Sequence, residues 1–328
     1  MTSKADLPLV SIIIPTYNAE KTLSYCLESI MLQDYPKEKM EVIVVDGGSS
    51  DKTCDIAKRF GVEKLLDNPY RGQEIGKAIG VDNAEGDLIA FIDSDNVLPE
   101  KEWLRKMVKP FLEEKNLTGS EPIMFTYKRD APPMVRYCSL VGCDDPLCHI
   151  LGNRDKWSWV KMGWTDLPVK TVNRGDYILV NFNSNQRVPT MGANGFIVRK
   201  RHLKSVRYSP YIDIDVFYNL VRYGYVTYAK VKTGIIHLHA DTITQYLKKK
   251  IRRVQIHYMS QKYRTYPWSI SKEDATKIIL KIMVIPVVWE TIQGYKNVPD
   301  KAWLLHLIIP IITILTYTSL HILYIFDR

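Results

Sequence analysis

The stretch LVSIIIPTYN, residues 9–18, decides the fold class of this 328-residue chain. A short continuous apolar run that ends in polar turn residues is typical of a parallel strand buried on both faces. The pattern returns in EVIVVD (41–46) and DLIAFID (87–93), and EKLL (63–66) is a shorter candidate strand. Helical spacing separates these runs, so the first hundred residues predict a βαβαβαβ order and a doubly wound α/β fold.

Polar turns follow three of the predicted strands. They are Pro15-Thr16-Tyr17-Asn18, Asp46-Gly47-Gly48 and Asp93-Ser94-Asp95. Ligands on such sheets bind outside the carboxyl ends of the strands, so the turns predict one ligand site at that edge. Asn18 is also predicted to be the N-cap of the first helix.

The charge of the chain indicates an anionic partner. The net charge is +9, and residues 241–265 hold seven Lys or Arg against one acidic residue. Helical spacing places five apolar residues of this stretch on one face, which predicts a basic amphipathic helix at a lipid surface. They are Ile243, Leu247, Ile251, Val254 and Tyr258.

The C-terminal region predicts attachment to the cell membrane. Residues 303–326 contain no Asp, Glu, Lys or Arg, and about 20 apolar residues suffice to cross a bilayer. A buried helix of a soluble core is the alternative. Residues 278–289 are shorter and carry Lys281; a second arm of a membrane hairpin is preferred to an interfacial helix. The N-terminal MTSKADLPLV lacks the apolar core of a signal peptide, so the catalytic part is expected on the cytoplasmic side.

The cysteines do not indicate a disulfide scaffold. None of the five stands in a C-x-x-C pair. Cys138, Cys143 and Cys148, with His149 behind them, recur every five residues. That spacing fits no zinc motif, so reduced thiols are the preferred interpretation.

Five motifs together resemble a known family. VSIIIPTYN, VVDGGSSDKT, FIDSDN, GANGFIVRK and YIDIDVFYNLVRYGY, in this order, are similar to the motifs of family-2 inverting glycosyltransferases of the GT-A fold. The resemblance covers residues 8–240 and implies a Rossmann-like, doubly wound mixed sheet followed by amphipathic and transmembrane helices. The expected parts are a nucleotide-sugar half (1–100), an acceptor-binding and catalytic half (101–240), a basic interfacial helix (241–273) and C-terminal membrane segments (274–328).

The resemblance also implies how the donor is held. The loop Pro15, Thr16, Tyr17 and Asn18, together with Asp46 and Gly47, would hold the nucleobase and ribose. Lys77 would lie near the phosphates, with Ser94 beside the donor. Gly192, Ala193 and Asn194 would line the sugar pocket, where small residues permit close approach. The alternatives are that Asp46 caps the next helix and that Lys77 is a surface lysine.

Asp93 and Asp95 correspond to the D-x-D of the family. The resemblance gives Asp95 direct contact with Mg²⁺ or Mn²⁺, and directs Asp93 to the ribose or the metal. Such an ion neutralises the departing nucleoside diphosphate. His237 and His239 are candidates for a further ligand, with His239 preferred, because residues two apart on a strand share a face.

Inversion needs a carboxylate that takes the proton of the acceptor hydroxyl. The resemblance places Asp213 at this position and keeps Asp215 as its substitute. Ile212 stands where the family usually has Glu, which is a departure from the motif. The alternative is two acids that favour a helix N-terminus through the helix dipole.

The implied activity is transfer of one sugar to a membrane-held acceptor such as a polyprenyl phosphate or a lipid-linked saccharide. Gln245 is followed by Lys248 and Lys249 where processive members have Arg and Trp, so repeated transfer is not expected. A nucleotidyltransferase is the competing enzyme class, but PTYNAEKT lacks its pyrophosphate signature. A non-catalytic nucleotide or nucleic-acid binder is the second competitor; no groove of interleaved basic and aromatic residues supports it.

Overall fold

The computed structural model describes residues 7–267, 271–282 and 284–326. The chain packs as two compact units. The first combines the N-terminal part through Ile123 with Pro168–His237, and the second combines Met124–Leu167 with the part from Leu238 onward. This division differs from the predicted boundary at residue 100, because Met124–Leu167 packs with the C-terminal part of the chain.

The strands form one mixed sheet in the order β3-β2-β1-β4-β9-β6-β10-β8-β7, with β5 paired to β10. They are β1 Val10–Thr16, β2 Met40–Asp46, β3 Lys64–Asp67, β4 Leu88–Phe91, β5 Asn96–Val97, β6 Gly119–Phe125, β7 Lys170–Asn173, β8 Tyr177–Asn181, β9 Phe196–Arg199 and β10 Thr227–His237.

The twelve α-helices of the described residues are α1 Leu23–Met31, α2 Thr53–Phe60, α3 Gln73–Asn83, α4 Trp103–Glu113, α5 Pro133–Val141, α6 Pro146–Ile150, α7 Lys200–Leu203, α8 Asp213–Arg222, α9 Ile243–Ser260, α10 Lys272–Ile282, α11 Ile285–Asn297 and α12 Ile309–Phe326. Short 3₁₀ helices span Lys37–Lys39, Gln261–Tyr263 and Lys301–Leu307. Helices α5, α6 and α9–α12 belong to the second unit.

The predicted parallel half of the sheet is confirmed. Strand β1 runs parallel to β2 and β4, and β2 runs parallel to β3. Every residue of β1 and β2 is buried, which explains their continuous apolar runs. Strand β9 pairs antiparallel with β4, and from there the sheet is mixed.

Two local predictions are wrong. Helix α1 begins at Leu23 with Thr22 as its N-cap, so Asn18 does not cap it. Asn18 has a left-handed φ of 49°, and its Oδ1 accepts a hydrogen bond from the Ser50 amide at 2.9 Å. Strand β10 ends at His237. His239 therefore does not lie on that strand, and the two histidines do not share a strand face.

The second unit has its own hydrophobic core, formed by α5 and by residues of α9 and the C-terminal helices. The buried face of α9 is Tyr246, Lys250 and Val254. Of the predicted apolar face, Val254 is buried, Ile243 and Leu247 pack against this core, and Ile251 is exposed. Most of that face therefore contacts protein, and not the lipid surface expected for it.

The C-terminal region does not form the predicted hairpin. Residues 278–282 fall on α10 and residues 285–289 on α11; these helices have 11 and 13 residues and are each too short to cross a bilayer. Within the described residues, one helical stretch, Lys301–Leu323, is long and apolar enough to do so by length and composition. All five cysteines are free, as predicted.

Candidate active site

The first part of the site is the pair of loops after β1 and β2. Both carboxylate oxygens of Asp46 accept hydrogen bonds: Oδ1 from the Thr16 and Ser49 hydroxyls, and Oδ2 from the Gly48 and Ser49 amides, at 2.6–3.0 Å. Burial by itself raises the pKa of Asp46, but the hydrogen bonds from Ser49 and Thr16 hold it below its ordinary value. Asp46 therefore organises the loop with its carboxylate ionised.

The second part is the turn after β4, which carries Asp93 and Asp95. The Asp93 Oδ1 accepts a hydrogen bond from Gln73 Nε2 at 2.7 Å and lies 3.3 Å from Lys77 Nζ. The Asp93 amide donates to Asn96 Oδ1 at 3.1 Å. The turn is thereby held on helix α3, and the Asp93 carboxylate faces that helix.

Lys77 joins this turn to helix α8. Its side chain is 1% exposed, and its Nζ lies 2.8 Å from the Asp213 Oδ1 as well as near Asp93. Burial alone would lower the pKa of Lys77, but Asp213 and Asp93 raise it above its ordinary value. A surface position for Lys77, the alternative reading of the sequence, is therefore wrong: the residue is a buried cation between two carboxylates.

Asp213 is the first residue of α8. Its side chain is 36% exposed. Desolvation raises the pKa of Asp213 to about 6, against the opposing effect of Lys77. A carboxylate with a raised pKa that stays reachable from solvent has the properties of a general base. Asp215, two residues further along α8, is buried.

The turn 192–195 packs directly against Asp213. Gly192 has φ +117°, and a Cβ added to it would lie 2.7 Å from the Asp213 carbonyl oxygen. Only glycine tolerates both conditions. Asn194 accepts a hydrogen bond from Asn96 Nδ2 at 3.1 Å, which ties this turn to the one after β4.

A buried ion pair that the sequence analysis did not identify supports the turn. The Gly192 amide donates to Glu121 Oε1 at 3.1 Å, and Lys230 Nζ lies 2.6 Å from Glu121 Oε2. Both side chains are fully buried. Glu121 lies in β6 and Lys230 in β10. A single charged residue within a strand does not indicate which residue it pairs with, here one 109 positions away.

His237 and His239 have different surroundings. His237 ends β10, and its Nε2 lies 3.5 Å from the Asp95 Oδ1. His239 belongs to the second unit, where its Nδ1 lies 3.9 Å from Asp144 Oδ2. Two ligands at right angles on one Mg²⁺ or Mn²⁺ stand about 3 Å apart, so Asp95 and His237 fit a shared ion.

A second group of ligand-type side chains lies in the second unit. His149, Glu290 and His306 are buried, with their ligand atoms within 4.8 Å of one another. Glu290 also pairs with Lys281, and its Oε1 lies 3.3 Å from Lys161 Nζ. Two ammonium groups already neutralise this carboxylate and would repel a divalent cation. The group is therefore a buried hydrogen-bonding network centred on Glu290.

Comparison with known sequences identifies the N-terminal part. Residues 11–136 match the family model described as Glycosyl transferase family 2. Glycosyltransferase AglE of Haloferax volcanii is 35% identical over 142 residues, 42% of this chain and 46% of AglE. The Methanococcus voltae enzyme named dolichyl N-acetyl-alpha-D-glucosaminyl phosphate 3-beta-D-2,3-diacetamido-2,3-dideoxy-beta-D-glucuronosyltransferase is 37% identical over 120 residues, 34% of this chain and 37% of that enzyme. The chain thus spans less than half the length of these relatives.

Comparison with solved structures shows the fold. The mannosyltransferase PcManGT from Pyrobaculum calidifontis, solved with GDP-Man and Mn²⁺, has a TM-score of 0.56 at 15% identity, over 97% of this chain and 88% of that one. Glucosyl-3-phosphoglycerate synthase from Mycobacterium tuberculosis, solved with Mg²⁺ and UDP, has a TM-score of 0.50 at 20% identity, over 79% of this chain and 80% of that one. The predicted GT-A fold is confirmed.

Proposed function

Because residues 11–136 match the family model described as Glycosyl transferase family 2, we propose that this chain transfers one sugar, with inversion, from a nucleoside diphosphate sugar to a lipid-linked acceptor. Asp213 acts as the base, and a divalent cation assists the departure of the diphosphate. The acceptor is a polyprenyl phosphate or a saccharide carried on one.

The reaction is a direct displacement. The acceptor hydroxyl loses its proton to an oxygen of Asp213 as its own oxygen forms a bond to the anomeric carbon. The bond from that carbon to the diphosphate oxygen breaks on the opposite face, and the electron pair leaves with the nucleoside diphosphate. The proton held on Asp213 is then released to solvent.

The observation that carries the proposal is the ion-pair chain through Lys77. This lysine lies 3.3 Å from Asp93 and 2.8 Å from Asp213, although Asp93 and Asp213 come from separate motifs and Lys77 from neither. The chain links the turn expected at the diphosphate to the carboxylate expected at the acceptor hydroxyl. Inverting transfer requires a positioned general base with a raised pKa next to the site that binds the diphosphate.

A metal ion fits the residues present. Asp95, in the turn after β4, offers an oxygen ligand, and His237, at the end of β10, offers a nitrogen ligand; the two atoms lie 3.5 Å apart. Asp93 is held by Gln73 and Lys77 instead. We assign the ion to Asp95 and His237 and give Asp93 the role of orienting Lys77. The ion would supply countercharge to the leaving diphosphate. His239 is not part of this assignment.

A lipid-linked acceptor is supported by two observations. The relative from Methanococcus voltae is named for a dolichyl phosphate substrate. In this chain, the helical stretch Lys301–Leu323 is apolar enough for a membrane environment. Catalysis is proposed on the cytoplasmic side, where nucleotide sugars are made.

A donor panel tests the proposal. The full chain is incubated with Mn²⁺ or Mg²⁺, a polyprenyl phosphate and each of several UDP-, GDP- and dTDP-sugars. Release of nucleoside diphosphate together with a glycolipid of inverted anomeric configuration is expected for one donor. Release of pyrophosphate would instead indicate a nucleotidyltransferase, and binding of nucleotide without turnover of any donor would indicate a non-catalytic binder.

The pH profile should report Asp213. Because only the ionised carboxylate accepts a proton, kcat/KM should rise about tenfold per pH unit below a midpoint near pH 6, and level off above it. The raised pKa of Asp213 also makes folding stability depend on pH. At a pH between the pKa of Asp213 in the unfolded chain and its pKa in the folded chain, the folded state binds more protons. The contribution of Asp213 to the free energy of unfolding is therefore lost as pH rises through about 6.

The variant Lys77→Met distinguishes titration of Asp213 from a nonspecific loss of activity at acid pH. Lys77→Met removes the cation that opposes the raised pKa of Asp213, so the midpoint of kcat/KM should move to higher pH. Steady-state rates from pH 5 to 8 measure both enzymes. A wild-type rate that is flat across this range would exclude Asp213 as the titrating base.

A further inference from the structure

Exposed apolar side chains concentrate at one region of the second unit. Of the 23 large hydrophobic side chains exposed among the described residues, 13 lie between Ile279 and Leu323. We call these 13 the apolar face. Eleven of them stand on α10, α11, the 3₁₀ helix Lys301–Leu307 and α12, and Val284 and Ile308 lie at the junctions between these elements. Helix α10 contacts α11 and α12, and the 3₁₀ helix also contacts α11 and α12. Single exposed apolar residues are ordinary, but this many on elements that pack together mark an interaction surface.

The exposed charge within residues 279–323 is entirely positive. The acidic residues Glu290 and Asp300 are buried. Glu290 pairs with Lys281 and two histidines, and Asp300 lies 3.4 Å from Arg136. The exposed charges of the described residues in this range are Lys296 and Lys301. A surface of apolar and cationic side chains complements anionic headgroups above hydrocarbon.

The two lysines flank a cleft suited to one lipid. Lys296 and Lys301 line a depression of about 380 Å³ together with Ile292, Trp303 and Leu304. Gly294 lies so close to Trp303 that a Cβ there would be 2.6 Å from the indole. The cleft thus has a rigid aromatic wall and an apolar lining, to which the two lysines contribute their alkyl chains. This lining matches the first carbons of a lipid chain.

Helix α12 has a polar stripe that contacts protein. Thr313, Tyr317 and His321 are spaced four residues apart and share one face. The Thr313 hydroxyl lies 3.3 Å from the Tyr246 hydroxyl, Tyr317 donates to Asp145, and the His321 ring contacts the Tyr258 hydroxyl. Because Tyr246 and Tyr258 belong to α9, helix α12 runs along α9.

This packing is incompatible with a membrane span. Helix α9 exposes Lys248, Lys249 and Arg252, and a helix that crossed the bilayer beside α9 would draw these cations into hydrocarbon. Charged side chains facing lipid tails are strongly unfavourable. The exposed apolar residues of α12 are therefore best accommodated with the helix parallel to the membrane plane.

We infer that residues 279–323 attach the protein to one leaflet of an anionic membrane, with the apolar face in the interfacial layer and no helix crossing. The attachment uses Lys296 and Lys301 for headgroups and Trp289 and Tyr295 for the interface, where aromatic side chains are favoured. It refines the membrane association in the proposed function, but it requires neither donor nor acceptor. Vesicle binding and sugar transfer can therefore fail separately.

Topology is tested with the full chain carrying a different epitope tag at each end. In inverted membrane vesicles from expressing cells, external protease should remove both tags. Protection of the C-terminal tag alone would overturn the inference in favour of a span. Light scattering of the detergent-free protein should show a monomer that binds vesicles; a stable dimer without vesicle binding would assign the apolar face to a second copy.

Paired variants test the surface itself. Trp289→Glu with Ile292→Glu places two acids on side chains that are 57% and 49% exposed, and Tyr25→Glu with Tyr223→Glu is the matched control at 58% and 70%. Flotation with phosphatidylglycerol–phosphatidylcholine vesicles should fall at least about tenfold for the first pair and stay unchanged for the control. Lys296→Glu with Lys301→Glu should remove the preference for phosphatidylglycerol. Equal flotation of all variants, with unchanged melting temperatures, would refute the surface.

Discussion

Replacing Asp213 with asparagine should lower kcat by about a hundredfold to ten-thousandfold, the usual contribution of a positioned general base. The amide keeps the volume of the carboxyl group but cannot take the proton of the acceptor hydroxyl. Donor binding should remain, because the proposed nucleotide site is formed by the loops that follow β1, β2 and β4. Single-turnover rates, with nucleotide affinity measured by calorimetry, separate the two effects.

Asp215→Asn is the matched control for this prediction. Asp215 lies two residues further along α8, and its side chain is 3% exposed, which leaves little access for an acceptor. We expect Asp215→Asn to reduce the melting temperature more than it reduces kcat in the folded fraction. The reverse pattern, with Asp213→Asn active and Asp215→Asn inactive, would transfer the role of base to Asp215.

Asp95→Ala should reduce transfer by at least about a hundredfold, because a metal ion that stabilises a leaving diphosphate contributes several kcal/mol. The variant should also lose its response to metal: its residual rate should be the same with Mn²⁺ and with EDTA. Calorimetric titration of Mn²⁺ in the presence of a nucleoside diphosphate measures the lost site directly.

Asp34→Ala is the control for this change, because it also removes a carboxylate, one that lies 3.2 Å from Arg105 and outside the candidate site. Its rate should stay within a few-fold of the wild type and should remain sensitive to EDTA. His237→Ala should weaken Mn²⁺ binding, since His237 Nε2 lies 3.5 Å from the Asp95 carboxylate. An Asp95→Ala enzyme that keeps full, EDTA-sensitive activity would exclude the assignment of metal to this residue.

The parallel half of the fold could be predicted because its signals are local. Strands β1 and β2 are buried on both faces, so each reads as an apolar run. The ends of other elements could not be predicted in this way. The end of β10 depends on its pairing with β5, where His237 faces Asn96, and that pairing is a tertiary contact.

The same distinction applies to the candidate site. Asp93, Asp95 and Asp213 stand in motifs that can be recognised in the chain. The position of Lys77 between Asp93 and Asp213 could not be derived, because it depends on a contact across 136 residues. The pair Glu121 and Lys230 was missed for the same reason. Composition likewise does not reveal that Thr313 and Tyr317 of the apolar C-terminal helix contact protein.

The buried ammonium of Lys77 has a consequence for the order in which substrates bind. Asp93 and Asp213 flank Lys77, and Asp95 lies 3.5 Å from His237, so three carboxylates stand against one ammonium group in this set of residues. A metal-free nucleoside diphosphate sugar would meet like charge there, whereas its chelate with a divalent cation would not. Initial-rate kinetics should therefore show the metal entering before the donor or together with it, and free nucleotide sugar in excess over metal should slow turnover.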